Sequence, residues 1–243
     1  MKRLSKTLSV KDIADKLVTL GVLKAKSEFL NLCKTGESFK ESYPFVANIP
    51  VNSAQARDYA LEGYLFPDTY EIYSDESAES IIGRMLTRFG QIMGDEYTAR
   101  AAELNMSVDD VITLASLIEK EARHENDFTR VSAVFHLRLD KGMKLQSDAP
   151  LKYIFHTSGV LTFTAEQMAD TSLYNTHVYE GLPLGPIANP GRKAIEAALY
   201  PDQEYMNEGY LYFCLMDSET GELIYAKTLE EHNANVAKYR PNW

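Results

Sequence analysis

The chain has 243 residues, 45% hydrophobic and 11% aromatic, enough to bury the core of one large or two smaller domains and too apolar for a disordered tail. Its formal net charge of -10, with no run of Lys or Arg, excludes a nucleic-acid partner, because binding phosphates requires a basic patch. Cys33 and Cys214 lie among apolar neighbours and read as buried thiols in separate elements, while His124, His136, His156, His177 and His232 show no zinc-ligand spacing, so no metal site is expected.

Met1-Lys2-Arg3-Leu4-Ser5-Lys6 leads directly into a helical pattern with no apolar leader stretch. The longest apolar run, Val111 to Ile118, falls far short of a membrane span, so the chain taken literally is expected to be soluble and to stay where it is made. Ser9-Val10-Lys11-Asp12 is a capping-box start, and Val10, Ile13, Ala14, Leu17 and Val18 then recur at helical spacing up to Gly21. Ser27 is expected to cap a second short helix with Phe29, Leu30 and Cys33 inward, and residues 42–50 to run extended and turn-rich. The aromatic segment Leu61 to Tyr70 contains Pro67 and suits an irregular or edge position.

Ser77 begins a helix carrying Ile81, Ile82, Met85, Leu86 and Phe89. Ser107-Val108-Asp109-Asp110 repeats the capping pattern and opens the most apolar helix, expected to reach about Arg123; a further helix spans roughly Asp127 to Asp140 and closes at Gly142. Gly181 to Gly191 holds three prolines and three glycines in eleven residues and reads as a rigid loop of the kind that lines a site. After it come a helix from Arg192 to Tyr200 and a β-hairpin of 209–216 with 222–226 around Asp217 to Gly221. A last helix runs from Leu229 to Tyr239.

Chemistry concentrates in three places. The apolar helix ends in Ile118-Glu119-Lys120-Glu121-Ala122, where the two carboxylates lie about 160° apart and cannot pair with each other. A carboxyl held beside apolar side chains has its protonated form favoured, as a general acid requires. Leu145-Gln146-Ser147-Asp148 is a compact polar set in which Asp148 is a second candidate acid or a helix cap before Pro150. Tyr174-Asn175-Thr176-His177 and Asn189 add polar groups on the loops. No GxSxG elbow, phosphate loop or dinucleotide fingerprint is present.

Several of these segments together resemble the endolytic murein transglycosylases, also called MltG-like or YceG-like proteins. The resemblance covers nearly the whole chain. It is carried by Leu61-Glu-Gly-Tyr-Leu-Phe-Pro-Asp-Thr-Tyr70, Ala115-Ser-Leu-Ile-Glu-Lys-Glu-Ala122, Leu145-Gln-Ser-Asp148, Tyr174-Asn-Thr176, Gly181-Leu-Pro183, Gly185-Pro-Ile187, Asn189-Pro-Gly191 and His232-Asn233. Three positions depart from the family pattern: Leu137 stands where an Asn is usual, Ala149-Pro150 where Pro-Thr follows the Asp, and Leu184 where a second loop proline is usual.

The resemblance implies an α+β fold with a small, partial LysM-like subdomain over residues 1–52 and a mixed helix and β-hairpin catalytic domain over 53–243. It implies cleavage of MurNAc-GlcNAc β-1,4 bonds within nascent peptidoglycan strands, without water, leaving 1,6-anhydro-MurNAc ends and limiting strand length. On the family pattern Glu119 is the single catalytic acid and base, and Gln146, Ser147, Asp148, Tyr174, Asn175 and Asn189 line the sugar groove. No cofactor is expected, since neither a Schiff-base lysine nor a phosphate cup for pyridoxal phosphate can be nominated. The implied partners are glycan strands and wall-synthesis proteins at the membrane. A membrane anchor is expected ahead of this segment in the full-length protein, placing it on the outer face of the cytoplasmic membrane. The rival readings are an inactive peptidoglycan-binding or scaffold protein, and hydrolysis with Asp148 as the partner acid.

Overall fold

A computed structural model of the chain describes residues 2–3, 8–73, 76–157, 159 and 162–243. The leader reading of residues 1–6 therefore lies mostly outside the described residues. Elements follow in chain order as β1 (Lys2–Arg3), α1 (Val10–Thr19), α2 (Ser27–Thr35), α3 (Pro44–Ala47), β2 (Thr69–Tyr70), α4 (Ala78–Glu103), α5 (Val108–Glu121) and α6 (Glu125–Asp140). Then come α7 (Ala149–Ile154), α8 (Ala165–Met168), α9 (Arg192–Leu199), α10 (Gln203–Glu208), β3 (Tyr212–Leu215), β4 (Leu223–Ala226) and α11 (Leu229–Tyr239). The fold is mixed α+β and rich in helix, with two two-stranded antiparallel sheets, β1 with β2 and β3 with β4, among the described residues.

The chain divides into two compact units, one of 1–116 with 184–195 and one of 117–183 with 196–243. The divisions fall inside α5, inside the glycine- and proline-rich loop, and inside α9.

In the first unit, α1 begins as its sequence dictates: Ser9 and Asp12 form a reciprocal capping box, and Val10, Ile13, Ala14 and Leu17 are buried. Ser27 is the first helical residue of α2 rather than its cap. The Leu30 amide donates to the Lys26 carbonyl, so the first turn closes one residue earlier, without a side-chain cap. The stretch expected to be extended contains α3, because Pro44 sits in its first turn, where a fixed φ favours the helix and the missing N–H is not needed. α4 buries Ile81, Ile82, Met85, Leu86 and Phe89 and is broken at Gly94, whose φ of 34° is left-handed. Phe45, Tyr64 and Phe89 pack with ring centroids 4.9–6.1 Å apart.

Leu61 to Tyr70 is irregular, as Pro67 requires, yet 61–66 are all buried. Its polar groups are matched one by one. Tyr64 Oη donates to Asp109 Oδ1 at 2.6 Å, and Arg57 grips the same carboxylate with two nitrogens at 2.8 and 2.6 Å. Arg57 Nε also donates to the Leu184 carbonyl at 3.0 Å. Gly63, at φ 92°, passes so close to Pro186 and Ile112 that a Cβ there would lie 2.5 and 2.8 Å from them, which only glycine avoids.

The second unit is built on α6. Ser132 Oγ donates to the Ala197 carbonyl at 2.6 Å, and His136 Nε2 bonds the Ala198 carbonyl at 2.8 Å, both within the core. The expected hairpin forms as β3 with β4, Tyr212 opposite Ala226 and Leu215 opposite Leu223. Its loop is closed by Asp217, which accepts from the amides of Glu219 and Thr220 at 2.8 and 2.9 Å. Phe213 meets Phe135 of α6 edge to face, and α11 packs on both strands. Cys33 and Cys214 are both free and buried, as their apolar neighbours indicated.

Asp109→Ala would remove the carboxylate that pairs with the Arg57 guanidinium and accepts from the Tyr64 hydroxyl in the first unit. The expected cost is about 3–5 kcal/mol of unfolding free energy, read from the urea midpoint.

Candidate active site

The end of α5 carries Glu119, which is half-buried, and Glu121, whose side chain meets the loop that follows α6. That loop, residues 144–148, is held in an unusual shape. Gln146 adopts a left-handed backbone with φ 51°, uncommon for a side chain of this size, and its side chain is exposed. The next residue, Ser147, is turned inward and only 5% exposed.

Ser147 Oγ donates to Glu121 Oε1 at 2.5 Å and accepts from the Ala149 amide at 3.2 Å. The Ser147 backbone is locked to Thr176 in both directions: its amide donates to Thr176 Oγ1, and its carbonyl accepts from that hydroxyl, each at 3.1 Å. The Gln146 amide donates to the Thr176 carbonyl, also at 3.1 Å. A dipeptide of loop is thus held by a single threonine.

Burial pushes the Glu121 carboxyl above its ordinary value. The Ser147 hydroxyl, the Lys152 charge and the Ala149 amide oppose that rise, and the neighbouring Asp148 charge adds to it. Here a carboxyl keeps its proton more readily than in water, on the helix end where the sequence placed two candidates.

Asp148 stands at the start of α7 but makes no capping bond with its side chain. Its Oδ1 instead lies 3.0 Å from His177 Nε2, with the Asp148 side chain 45% exposed. The cap position is served by Ser147 Oγ, which takes the Ala149 amide, so the cap reading of Asp148 holds for its position and not for its side chain.

The other expected groove residues occupy different situations. Asn175 is fully buried: its Nδ2 donates to the carbonyls of Met168 and Asp170 at 3.0 and 2.8 Å, and its Oδ1 accepts from the His177 amide at 2.9 Å. It shapes the turn that presents His177. Tyr174 is 3% exposed and packs on Tyr153 with ring centroids 5.1 Å apart.

Asn189 belongs to the first unit and is buried. Its Oδ1 accepts from the amides of Gly63 and Leu65 at 3.0 and 2.8 Å, and its Nδ2 donates to the Leu8 carbonyl and Glu62 Oε1 at 2.8 and 3.1 Å. Both donors and both acceptor positions of the amide are therefore occupied, leaving none for a sugar.

Loop 144–148 thus brings Ser147 and Asp148 to Glu121, and turn 172–177 holds that loop through Thr176 and meets Asp148 through His177, with Gln146 and Asp148 reaching solvent. The sequence offered Glu121 only as the alternative to Glu119 and gave no role to Thr176, His177 and Arg138, the last of which bonds Gln146 Oε1 at 3.4 Å. Thr176 and His177 stood inside a recognised motif, but nothing in it indicated which residue would bond to which loop. Among the described residues no group of three or more His, Cys, Asp or Glu is placed to hold a metal ion, and no helix is long and apolar enough to cross a membrane.

The sequence profile of the YceG-like family matches residues 3–238. The chain belongs to the YceG-like family. It is 39% identical over 184 residues to the endolytic murein transglycosylase of Bacillus subtilis strain 168, an alignment covering 74% of this chain and 48% of that protein. It is 35% identical over 202 residues to the endolytic murein transglycosylase of Streptococcus pneumoniae serotype 2 strain D39, covering 81% of this chain and 35% of that one. The chain therefore spans about half or less of the length of these curated relatives. A crystal structure of a yceG-like protein from Listeria monocytogenes superposes with a TM-score of 0.82 at 33% identity, covering 96% of this chain and 74% of that chain.

The raised Glu121 carboxyl has a consequence for this family member's stability. The folded protein binds that proton more tightly than the unfolded chain, so stability is lost as pH rises from the ordinary value of 4.5 through the raised one. Glu121→Gln, which carries no charge at any pH, is expected to melt about 2–4 °C above the parent at pH 8, with the difference vanishing near pH 4 in thermal scans.

Proposed function

We propose that this YceG-like chain is the catalytic part of an endolytic lytic transglycosylase that cuts MurNAc-GlcNAc β-1,4 bonds within peptidoglycan glycan strands. The observation that carries this reading is a proton-retaining carboxyl, Glu121, part-buried at the end of α5 and hydrogen-bonded to Ser147 of a rigid polar loop. Two curated relatives bearing the name endolytic murein transglycosylase support it.

The sequence expectation put the acid at Glu119; the surroundings of Glu121 support Glu121 in that role. In the proposed reaction the protonated Glu121 gives its proton to the glycosidic oxygen as the bond to C1 breaks and positive charge develops on the sugar ring. The C6 hydroxyl of the same MurNAc then attacks C1, and the Glu121 carboxylate takes its proton. The acid is regenerated, no water is consumed, and the product ends in 1,6-anhydro-MurNAc. Ser147 favours the carboxylate that exists between the two proton transfers, because a hydroxyl can donate to the charged form.

Asp148, paired with His177, is proposed to favour the cationic ring with its charge and Gln146 to meet sugar hydroxyls, roles supported by the exposure of both side chains. Tyr174, Asn175 and Asn189 hold the loops in shape, a role supported by their burial and internal bonding. Residues 1–52 are proposed as a partial LysM-like subdomain, a reading supported by the family resemblance and by the packing of α1 on α2. Wall-synthesis proteins at the outer face of the cytoplasmic membrane are the proposed setting, as the family resemblance implies.

The test is mass spectrometry of products from uncrosslinked peptidoglycan strands. The parent and Glu119→Gln should yield anhydro-MurNAc ends, with Glu121→Gln at least about a thousandfold slower, the loss expected of an essential acid and base. Reducing-end MurNAc carrying solvent oxygen would establish hydrolysis instead. Activity lost in Glu119→Gln and kept in Glu121→Gln would return the acid to Glu119.

A further inference from the structure

Loop 144–148 has a second anchor besides Thr176. Arg138, near the end of α6, is only 7% exposed, yet each hydrogen bond it makes among the described residues goes to an uncharged oxygen. Its Nη1 donates to the carbonyls of Lys144 and Leu145, both at 3.0 Å, and reaches Gln146 Oε1 at 3.4 Å. Its Nε donates to the Leu211 carbonyl, just before β3, at 2.7 Å. The guanidinium lies over the Tyr212 ring, 4.9 Å from its centroid, and that ring stacks on His232 of α11 with centroids 5.3 Å apart.

Burying a cation without a carboxylate is costly, and burial lowers the Arg138 pKa accordingly. The arrangement is therefore hard to explain as stabilisation for its own sake. What it secures is geometric. The two carbonyls it holds immediately precede Gln146, the residue forced into the left-handed region, and the next residue carries the hydroxyl bonded to Glu121. Thr176 holds the Gln146 and Ser147 amides and the Ser147 carbonyl, and Arg138 holds the two carbonyls that precede them.

We propose that Arg138 is a positioning residue for the acid: its clamp on the Lys144 and Leu145 carbonyls sets the turn at Gln146 and so delivers the Ser147 hydroxyl to Glu121. Arg138 touches neither substrate nor the reacting atoms. Lysine cannot replace it, because one ammonium group cannot span two loop carbonyls and the Leu211 carbonyl in the fixed fork of a guanidinium. The groups that face Glu121 and share in its titration are Ser147, Lys152 and Asp148, and Asp148 is itself paired with His177.

The proposal rests on Glu121 being the acid only for its effect on rate; its structural part can be read without substrate. The Glu121 carboxyl is titrated by carbon-13 NMR in the parent protein, Arg138→Lys, Ser147→Ala and the double variant. Ser132→Ala serves as control, since it removes a different buried bond of α6. The expected result is an upward shift of the Glu121 midpoint in Arg138→Lys in the same direction as in Ser147→Ala. The double variant should move no further than Ser147→Ala alone, and Ser132→Ala should not move it.

On glycan strands Arg138→Lys should lower kcat about tenfold with KM changed by no more than about twofold. A midpoint that moves in Ser147→Ala and stays fixed in Arg138→Lys would overturn the proposal, as would additive shifts in the double variant. If Arg138→Lys fails to fold, Tyr212→Leu, which removes only the ring beneath the guanidinium, is read by the same criteria. Titration as expected with no cleavage by the parent would count against the transglycosylase reading and leave the positioning role standing.

Discussion

Buried backbone without a sheet to pair it is the constraint that organises this protein. Among the described residues the strands are short and make two two-stranded sheets, while long irregular stretches such as 61–66, 144–148 and 183–190 run through or beside the core. Every buried N–H and C=O in such stretches needs a partner, and an unmet one costs about as much as a lost hydrogen bond. Side chains supply those partners here. Asn189 takes the amides of Gly63 and Leu65, Asn175 takes two carbonyls and an amide, Thr176 locks Ser147, Ser116 takes the Ile187 amide, and Arg138 gathers three carbonyls.

This way of satisfying the backbone explains why polar residues in the family motifs are so deeply buried. A buried asparagine that completes four hydrogen bonds is a structural fastener, and its replacement strands several groups at once. The same device makes a stiff platform. Held from both sides, the Ser147 loop does not need to reorganise when charge moves, and preorganised dipoles of this kind are what favour a transition state over a ground state. The exposed members of the set, Gln146 and Asp148, are carried on that platform rather than being part of its framework.

The charges around Glu121 also follow from chain connectivity. Ser147 and Asp148 are adjacent in sequence but face different partners, Ser147 turned inward to the carboxyl and Asp148 toward His177. Lys152, one turn into α7, adds a positive charge that partly offsets the burial of Glu121. Burial and the Asp148 charge retain the proton while Ser147 and Lys152 ease its release, which suits the proposed acid and base.

The sequence by itself determined the elements whose signals are local. The caps at Ser9 and Ser107, the periodicity of α1, α4 and α5, the hairpin around Asp217 to Gly221 and the final helix all follow from neighbours within a few residues. It missed α3, whose first turn contains Pro44, and left α7 as one of two readings of Asp148 before Pro150, because a proline that ends one helix can equally begin another. The site was legible only as a set of motifs. Glu119 and Glu121 are indistinguishable along the chain, two carboxylates on one helix end, and only the tertiary structure decides which of them meets Ser147 twenty-six residues later. For the same reason it was the fold that assigned Asn175 and Asn189 to the framework and brought Arg138 to the loop. Burial and long-range hydrogen bonds depend on what the folded chain places alongside each residue, and no local pattern carries that information.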